Sequence, residues 1–215
     1  MNPIAESTTE APFSARLRAA TATDHRQAER SSAMSELLAG RLPIEGYAAL
    51  LAQLLHVYEA LEHHSATHRD HPVSGTFAVT ELDRAPSLRR DLAVLPGGRA
   101  ADAPTAATER YVARLHEAGG DPVTFVAHHY TRYLGDLSGG IHIGRTAERH
   151  YGIDPTTGSS FFHFEEIPDP DAFKVGYRQA LDAAPWSPQD QQRFVGEVHR
   201  AYELNAALLT TVPRT

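Results

Sequence analysis

Cysteine is missing altogether from the 215 residues, and that one absence rules out several chemistries together. Disulfide staples, iron–sulfur clusters, thiolate ligation of iron and cysteine nucleophiles all need a sulfur this chain does not have. Electrons used in any redox reaction must then come from another molecule. No apolar run approaches the roughly 20 residues of a membrane-spanning helix, and residues 1–12 show neither the basic start nor the apolar centre of a signal peptide. The expectation is a cytoplasmic protein with no membrane anchor. Basic residues are outnumbered, with 20 Lys and Arg against 27 Asp and Glu and a formal net charge of -7. That balance argues against nucleic acid as a partner, because phosphate binding needs a basic face to release counterions. Long alternating stretches, internal repeats and low-complexity tracts are absent too.

What is present is helical periodicity, in a chain of single-domain length. The fold class is all-α, with residues 1–12 expected to be a disordered N-terminus and 13–215 one domain. Ser14 is placed to cap a first helix carrying Leu17, Thr21, His25 and Ala28, and a short helix over 32–39 ends at Gly40. Pro43 suits the first turn of a long helix reaching about His68. Pro86 opens a helix through Leu95, and another runs over 105–118. Asp121-Pro122 reads as N-cap and first-turn proline of a long helix stopped by Gly152. After an aromatic loop with Phe161, Phe162 and Phe164, two final helices cover about 170–183 and 188–211.

The long helix from Asp121 contains Gly135, Gly139 and Gly140, each costing roughly 1 kcal/mol relative to alanine in a helix interior. Gly135 and Gly139 stack on one face, leaving bare backbone that a flat molecule could approach closely. The competing reading is helix–helix packing, since 135–139 and 140–144 both have small-xxx-small spacing. Arg132 and Asp136, four apart, can pair and set a carboxylate beside the bare strip. Thirteen histidines compete as metal ligands, and His63, His64, His68 and His71 are expected to be solvated.

The run YTRYLGDLSGG, Tyr130 to Gly140, resembles the distal-helix signature of haem oxygenases. ATDHRQAERSSAM, residues 22–34, is similar to the proximal helix of that family, with His25 where the axial histidine stands. Arg18, Tyr58, Lys174, Arg178 and Asn205 also match family positions, so the likeness extends from about residue 13 to the C-terminus. It implies a single-domain helical fold with haem b, both substrate and cofactor, held between a proximal helix and a glycine-rich distal helix.

By the same resemblance His25 ligates the iron, and Arg18, Lys174, Arg178 and Tyr130 meet the haem propionates. Glu29, one turn beyond His25, is placed to orient its imidazole. Gly135, Gly139 and Gly140 form the ledge, with backbone at Gly139 and Gly140 close enough to steer oxygen toward the macrocycle's edge. Phe162, with Phe161, walls the pocket. Asp136, with Arg132 and Tyr58, organises water over the distal face and passes protons through it, more gently than a direct acid would. The implied reaction is oxygen-dependent opening of haem to biliverdin, carbon monoxide and ferrous iron, with electrons from a ferredoxin or flavoprotein. The ending Val212-Pro213-Arg214-Thr215 lacks a hydrophobic tail and so resembles the soluble bacterial type. Where the family commonly continues GGQV, this chain has Gly139-Gly140-Ile141-His142, and His142 is expected to point toward a neighbouring helix.

Two other classes compete. A haem storage or delivery protein would have no use for Asp136 and the glycines. A di-iron carboxylate oxidase needs Glu-x-x-His pairs, and no histidine here has an acidic residue three positions before it.

Overall fold

A computed structural model describes residues 11–29, 32–97 and 103–213, and places ten α-helices among them with no strand. They are α1 (Phe13–Ala20), α2 (Ala22–Glu29), α3 (Ser32–Leu38), α4 (Ile44–His68), α5 (Ala85–Leu92), α6 (Ala106–Ala118), α7 (Pro122–Gly135), α8 (Ile141–Tyr151), α9 (Pro170–Ala183) and α10 (Pro188–Leu209). The expected N-terminal disorder over 1–12 falls almost wholly outside the described residues.

Several helix starts follow directly from local chemistry. Asp121 accepts from the backbone N–H groups of Val123 and Thr124 at 3.0 Å, with Pro122 in the first turn. Asp169 does the same for Ala172 at 2.9 Å, ahead of Pro170. Ser187 and Asp190 form a reciprocal capping box ahead of α10. Each such cap contributes about 1 kcal/mol by satisfying donors that the first turn leaves free. At the other end, Gly152 stops α8 with φ +64°, a left-handed backbone that glycine adopts without a Cβ penalty.

Two expectations at the N-terminal helix need correction. Ser14 is no cap, since it lies inside α1 and binds Asp182 of α9 through both its N–H (2.7 Å) and hydroxyl (2.9 Å). The helix is also broken at Thr21, whose hydroxyl bonds back to the Leu17 carbonyl at 2.9 Å, a contact that competes with helical hydrogen bonding and bends the chain. α5 ends at Leu92, three residues before the expected Leu95.

The helices wrap a continuous core. α7 lies along α10 over the most extensive helix pairing, α4 is flanked by α5 and α6, and α2 rests on α10. Tyr47, Leu51, Val57, Phe125, Phe194 and Val198 are fully enclosed within it. The aromatic loop is fastened by Asp91 of α5, a buried carboxylate that accepts from Ser160 N–H (2.9 Å), Ser160 hydroxyl (2.6 Å) and Phe161 N–H (2.8 Å). This clamp holds Phe161 and Phe162 rigidly toward the glycine-bearing helix. His68, expected in solvent, is instead buried, bonded to Ser74 and to the Gly119 carbonyl at 2.6 Å each and stacked on Phe125.

Candidate functional site

The glycine-bearing helix is not uniform. Between α7 and α8 the residues Asp136–Gly140 form one π-helical turn, which inserts an extra residue and re-aims the side chains around it. This turn faces α2 across a slot composed of two adjoining chambers of about 450 and 470 Å³, which share His25, Thr131, Gly135, Ser138 and Tyr202.

The glycine question is decided differently for each pair. A Cβ added at Gly135 or Gly139 would meet nothing within 4 Å, so both present bare backbone to the slot. A Cβ at Gly144 would lie 2.8 Å from Phe162 Cβ, and one at Gly140 3.5 Å from the Phe162 ring. The first pair is a ledge and the second is packing. Gly140 was expected on the ledge, but it is buried with its open side against Phe162, the residue that walls the first chamber.

Beside the ledge sits a polar knot centred on the Tyr58 hydroxyl. That oxygen hydrogen-bonds Asp136 Oδ2 closely and accepts from Arg132 Nε at 3.2 Å and Nη2 at 3.0 Å. Arg132 and Asp136 approach directly only to 3.8 Å, so the i,i+4 pair read from the sequence works mainly through the tyrosine. Arg132 also donates to Asn205 Oδ1 of α10 at 2.6 Å. Tyr58 itself is fully buried, whereas Arg132, Asp136 and Asn205 line the first chamber. Burial pushes the Asp136 carboxyl above the usual carboxylate range, and Arg132, the Tyr58 hydrogen bond and Arg84 pull against it without cancelling it. Burial also works against the Arg132 charge, yet Tyr58 and Asp136 outweigh it and hold the guanidinium protonated.

The second chamber carries the cations. Arg18, Lys174, Arg178 and Tyr130 all line it, as does Arg26, which the sequence reading did not single out. Lys174 is steadied by Asp171 at 2.9 Å, and Arg178 donates to the Lys174 carbonyl at 3.4 Å. The remaining wall of the first chamber is apolar, with Met34, Leu37, Leu50, Leu54 and Leu209 contributing.

His25 lies on α2, exposed at the junction of both chambers, its ring edge-on to Tyr202 at 6.3 Å between centroids. The Glu29 side chain, expected to orient it, lies outside the described residues. His142, expected to point toward a neighbouring helix, is exposed and lines the apolar chamber. Arg84 also escaped the sequence reading, because no local pattern marks it. It is buried over the Phe164 ring at 4.1 Å, near enough to act electrostatically on Asp136.

A bare ledge on one wall, an imidazole at the facing helix, an apolar lining and a cluster of cations at one end suit a planar, largely apolar molecule that carries carboxylates and a metal. Haem has that form, with two propionates for the cations and an iron for the imidazole. The comparison with known proteins agrees. The family model described as heme oxygenase matches residues 11–211. The heme oxygenase of Porphyra purpurea is 38% identical over 192 residues, covering 88% of this chain and 81% of that protein. Heme oxygenase 1 of Bos taurus is 37% identical over 212 residues, covering 96% and 73%. The crystal structure of heme oxygenase-1 from the cyanobacterium Synechocystis, in complex with heme, superposes with a TM-score of 0.86 at 32% identity, covering 93% of this chain and 91% of that one. The structure of heme oxygenase from Leptospira interrogans gives 0.85 at 30%, covering 93% and 99%. Matched along nearly its whole length in sequence and in fold, and carrying a slot of the right shape and charge, the chain belongs to the haem oxygenase family, whose members bind haem and degrade it oxidatively.

Proposed function

We propose a division of labour among the slot residues for this haem-degrading activity, with residues 13–215 acting as one catalytic domain. His25, on α2, would hold the haem iron through its imidazole. Arg18, Lys174 and Arg178 neutralise the propionates and Tyr130 donates a hydrogen bond to them, a task for which these four side chains share one chamber. Gly135 and Gly139 let the macrocycle lie against backbone, and Phe162 closes the side. Bound haem supplies the iron that activates molecular oxygen and the ring that is opened to biliverdin, carbon monoxide and ferrous iron.

The protein's own chemical part is proton handling at Asp136. Tyr58 and Arg132 fix its carboxyl at the edge of the chamber, and Asn205 fixes Arg132. Held this way, Asp136 would order water in the chamber and release protons through it, with its raised pKa favouring donation. Tyr58, Arg132 and Asn205 act as positioning residues. Because the chain has no thiolate to hold a redox centre of its own, electrons come from a separate carrier of the ferredoxin or flavoprotein class. The compartment proposed for the reaction is the cytoplasm.

The observation that carries this reading is the pairing of a side-chain-free ledge with a buried carboxylate knot on one π-turn. A single turnover of the haem complex with a chemical reductant and oxygen tests it. Wild type forms biliverdin, Asp136→Ala keeps the haem spectrum but forms little biliverdin, and His25→Ala shows a changed ferric spectrum. Normal biliverdin yield from Asp136→Ala removes the proton role, and an unchanged ferric spectrum in His25→Ala assigns the ligand elsewhere.

A further inference from the structure

The division of labour above leaves His142 without a task. It is the second residue of α8, just past the π-turn, and lines the apolar chamber beside Ile143, Met34 and Leu38. In the common GGQV pattern that position is a valine. The exposed His142 ring has no hydrogen-bond, ion-pair or stacking partner among the described residues, and only its backbone carbonyl is engaged, accepting from the Thr146 hydroxyl at 2.9 Å.

Other polar side chains of that chamber are already committed. Arg132 is held by Tyr58 and Asn205, Asp136 by Tyr58, and the Thr131 hydroxyl donates to the Ala127 carbonyl at 2.8 Å. His25 goes to the iron. An unengaged imidazole therefore stands on an otherwise apolar stretch of wall, in the first chamber and not in the cationic second one.

Haem itself offers this imidazole nothing to bind. With its propionates among the cations of the second chamber, the part of the macrocycle reaching into the first has only hydrocarbon at its edge. Oxidative opening changes that edge. Loss of a meso carbon as carbon monoxide leaves the two flanking pyrroles as lactams, each with a carbonyl oxygen beside an N–H. The cut belongs in the first chamber, because Asp136 lines that chamber and not the second. A neutral imidazole has one donor and one acceptor, so it can pair with either group of a lactam.

We propose that His142 is a product-binding residue, whose imidazole hydrogen-bonds a lactam of biliverdin at the apolar end of the slot. The inference rests on the haem-degrading reading above and adds to it a residue that acts once the ring is cut.

Direct binding to the apo-protein tests it, with biliverdin, ferric haem and metal-free protoporphyrin IX each titrated by absorption. Protoporphyrin carries the same two propionates as biliverdin but no lactam, and it needs no iron ligand. His142→Leu is expected to weaken biliverdin binding about 3- to 10-fold, the loss of one hydrogen bond, while haem and protoporphyrin affinities stay within twofold. His142→Gln regains a donor and an acceptor and is expected to recover most of the loss. Because the side chain is exposed, neither substitution disturbs the core. Unchanged biliverdin affinity in His142→Leu, or a loss shared equally by all three probes, overturns the product role and leaves the haem reading in place. Failure of the wild-type chain to bind haem or protoporphyrin overturns that reading, and this inference with it.

Discussion

An added methyl group should have opposite consequences at Gly139 and Gly144, although both lie on the same helical rod. At Gly139 the new Cβ finds no atom within 4 Å, so nothing in the apo-protein opposes it. Alanine then gains roughly 0.5–1 kcal/mol over glycine in helical backbone, which raises the apo Tm by about 1–4 °C for a chain of this size. The same methyl projects into the slot where the macrocycle must lie. A misfit of about 1–3 kcal/mol weakens haem binding roughly 5- to 150-fold. At Gly144 the new Cβ comes within 2.8 Å of Phe162 Cβ, and Asp91 anchors the preceding residues so that Phe162 cannot withdraw freely. Gly144→Ala therefore lowers the apo Tm. Thermal melts of the apo variants and haem titrations followed by absorption measure both quantities. A Gly139→Ala protein that melts below wild type, or binds haem as tightly, would refute the assignment of that glycine to an open ledge.

Tyr58→Phe should leave haem affinity within about twofold, because Tyr58 is not on the chamber wall. It removes a hydrogen bond that lowers the Asp136 pKa, so the alkaline limb of the pH–rate profile, where the donating acid is lost, moves to higher pH; an unmoved limb would show that Tyr58 does not act through Asp136. Buried Glu197 supplies a second pH effect. Burial tends to raise its pKa, but hydrogen bonds from His128 and Arg114 outweigh that and hold it at about 2, below the ordinary value of 4.5. The folded state thus binds fewer protons there than the unfolded chain. The stability this contributes is present above about pH 4.5 and lost as pH falls toward 2. Glu197→Gln should lower the Tm at pH 7 and flatten its decline below pH 5, which melts at pH 3–7 would reveal; an unchanged slope would remove Glu197 from acid unfolding.

Much of the fold was legible because helix caps are written within three or four residues. Asp121-Pro122, Asp169-Pro170, Ser187-Pro188 and Gly152 needed no distant partner to act, and the structure starts or stops helices at each. The break at Thr21 and the π-turn were not legible, since periodicity alone continues smoothly through both. Arg84 and His68 were missed for a related reason. Arg84 reaches the His163 carbonyl 79 positions away, and His68 reaches that of Gly119, 51 positions away.

The sequence by itself determined that this is a helical, thiol-free chain with a glycine-rich helix carrying Arg132 and Asp136, and that its motifs are those of haem oxygenases. Periodicity, capping and composition are local properties and survive without a fold. Only the tertiary structure decided that Gly135 and Gly139 face open space while Gly140 and Gly144, at the same spacing, are turned toward Phe162, with no room for a Cβ at Gly144. It alone put Tyr58 between Arg132 and Asp136, and gathered cations from α1, α2 and α9 into one chamber. Those outcomes depend on which side of each helix meets another element, and a one-dimensional pattern does not say what will stand opposite.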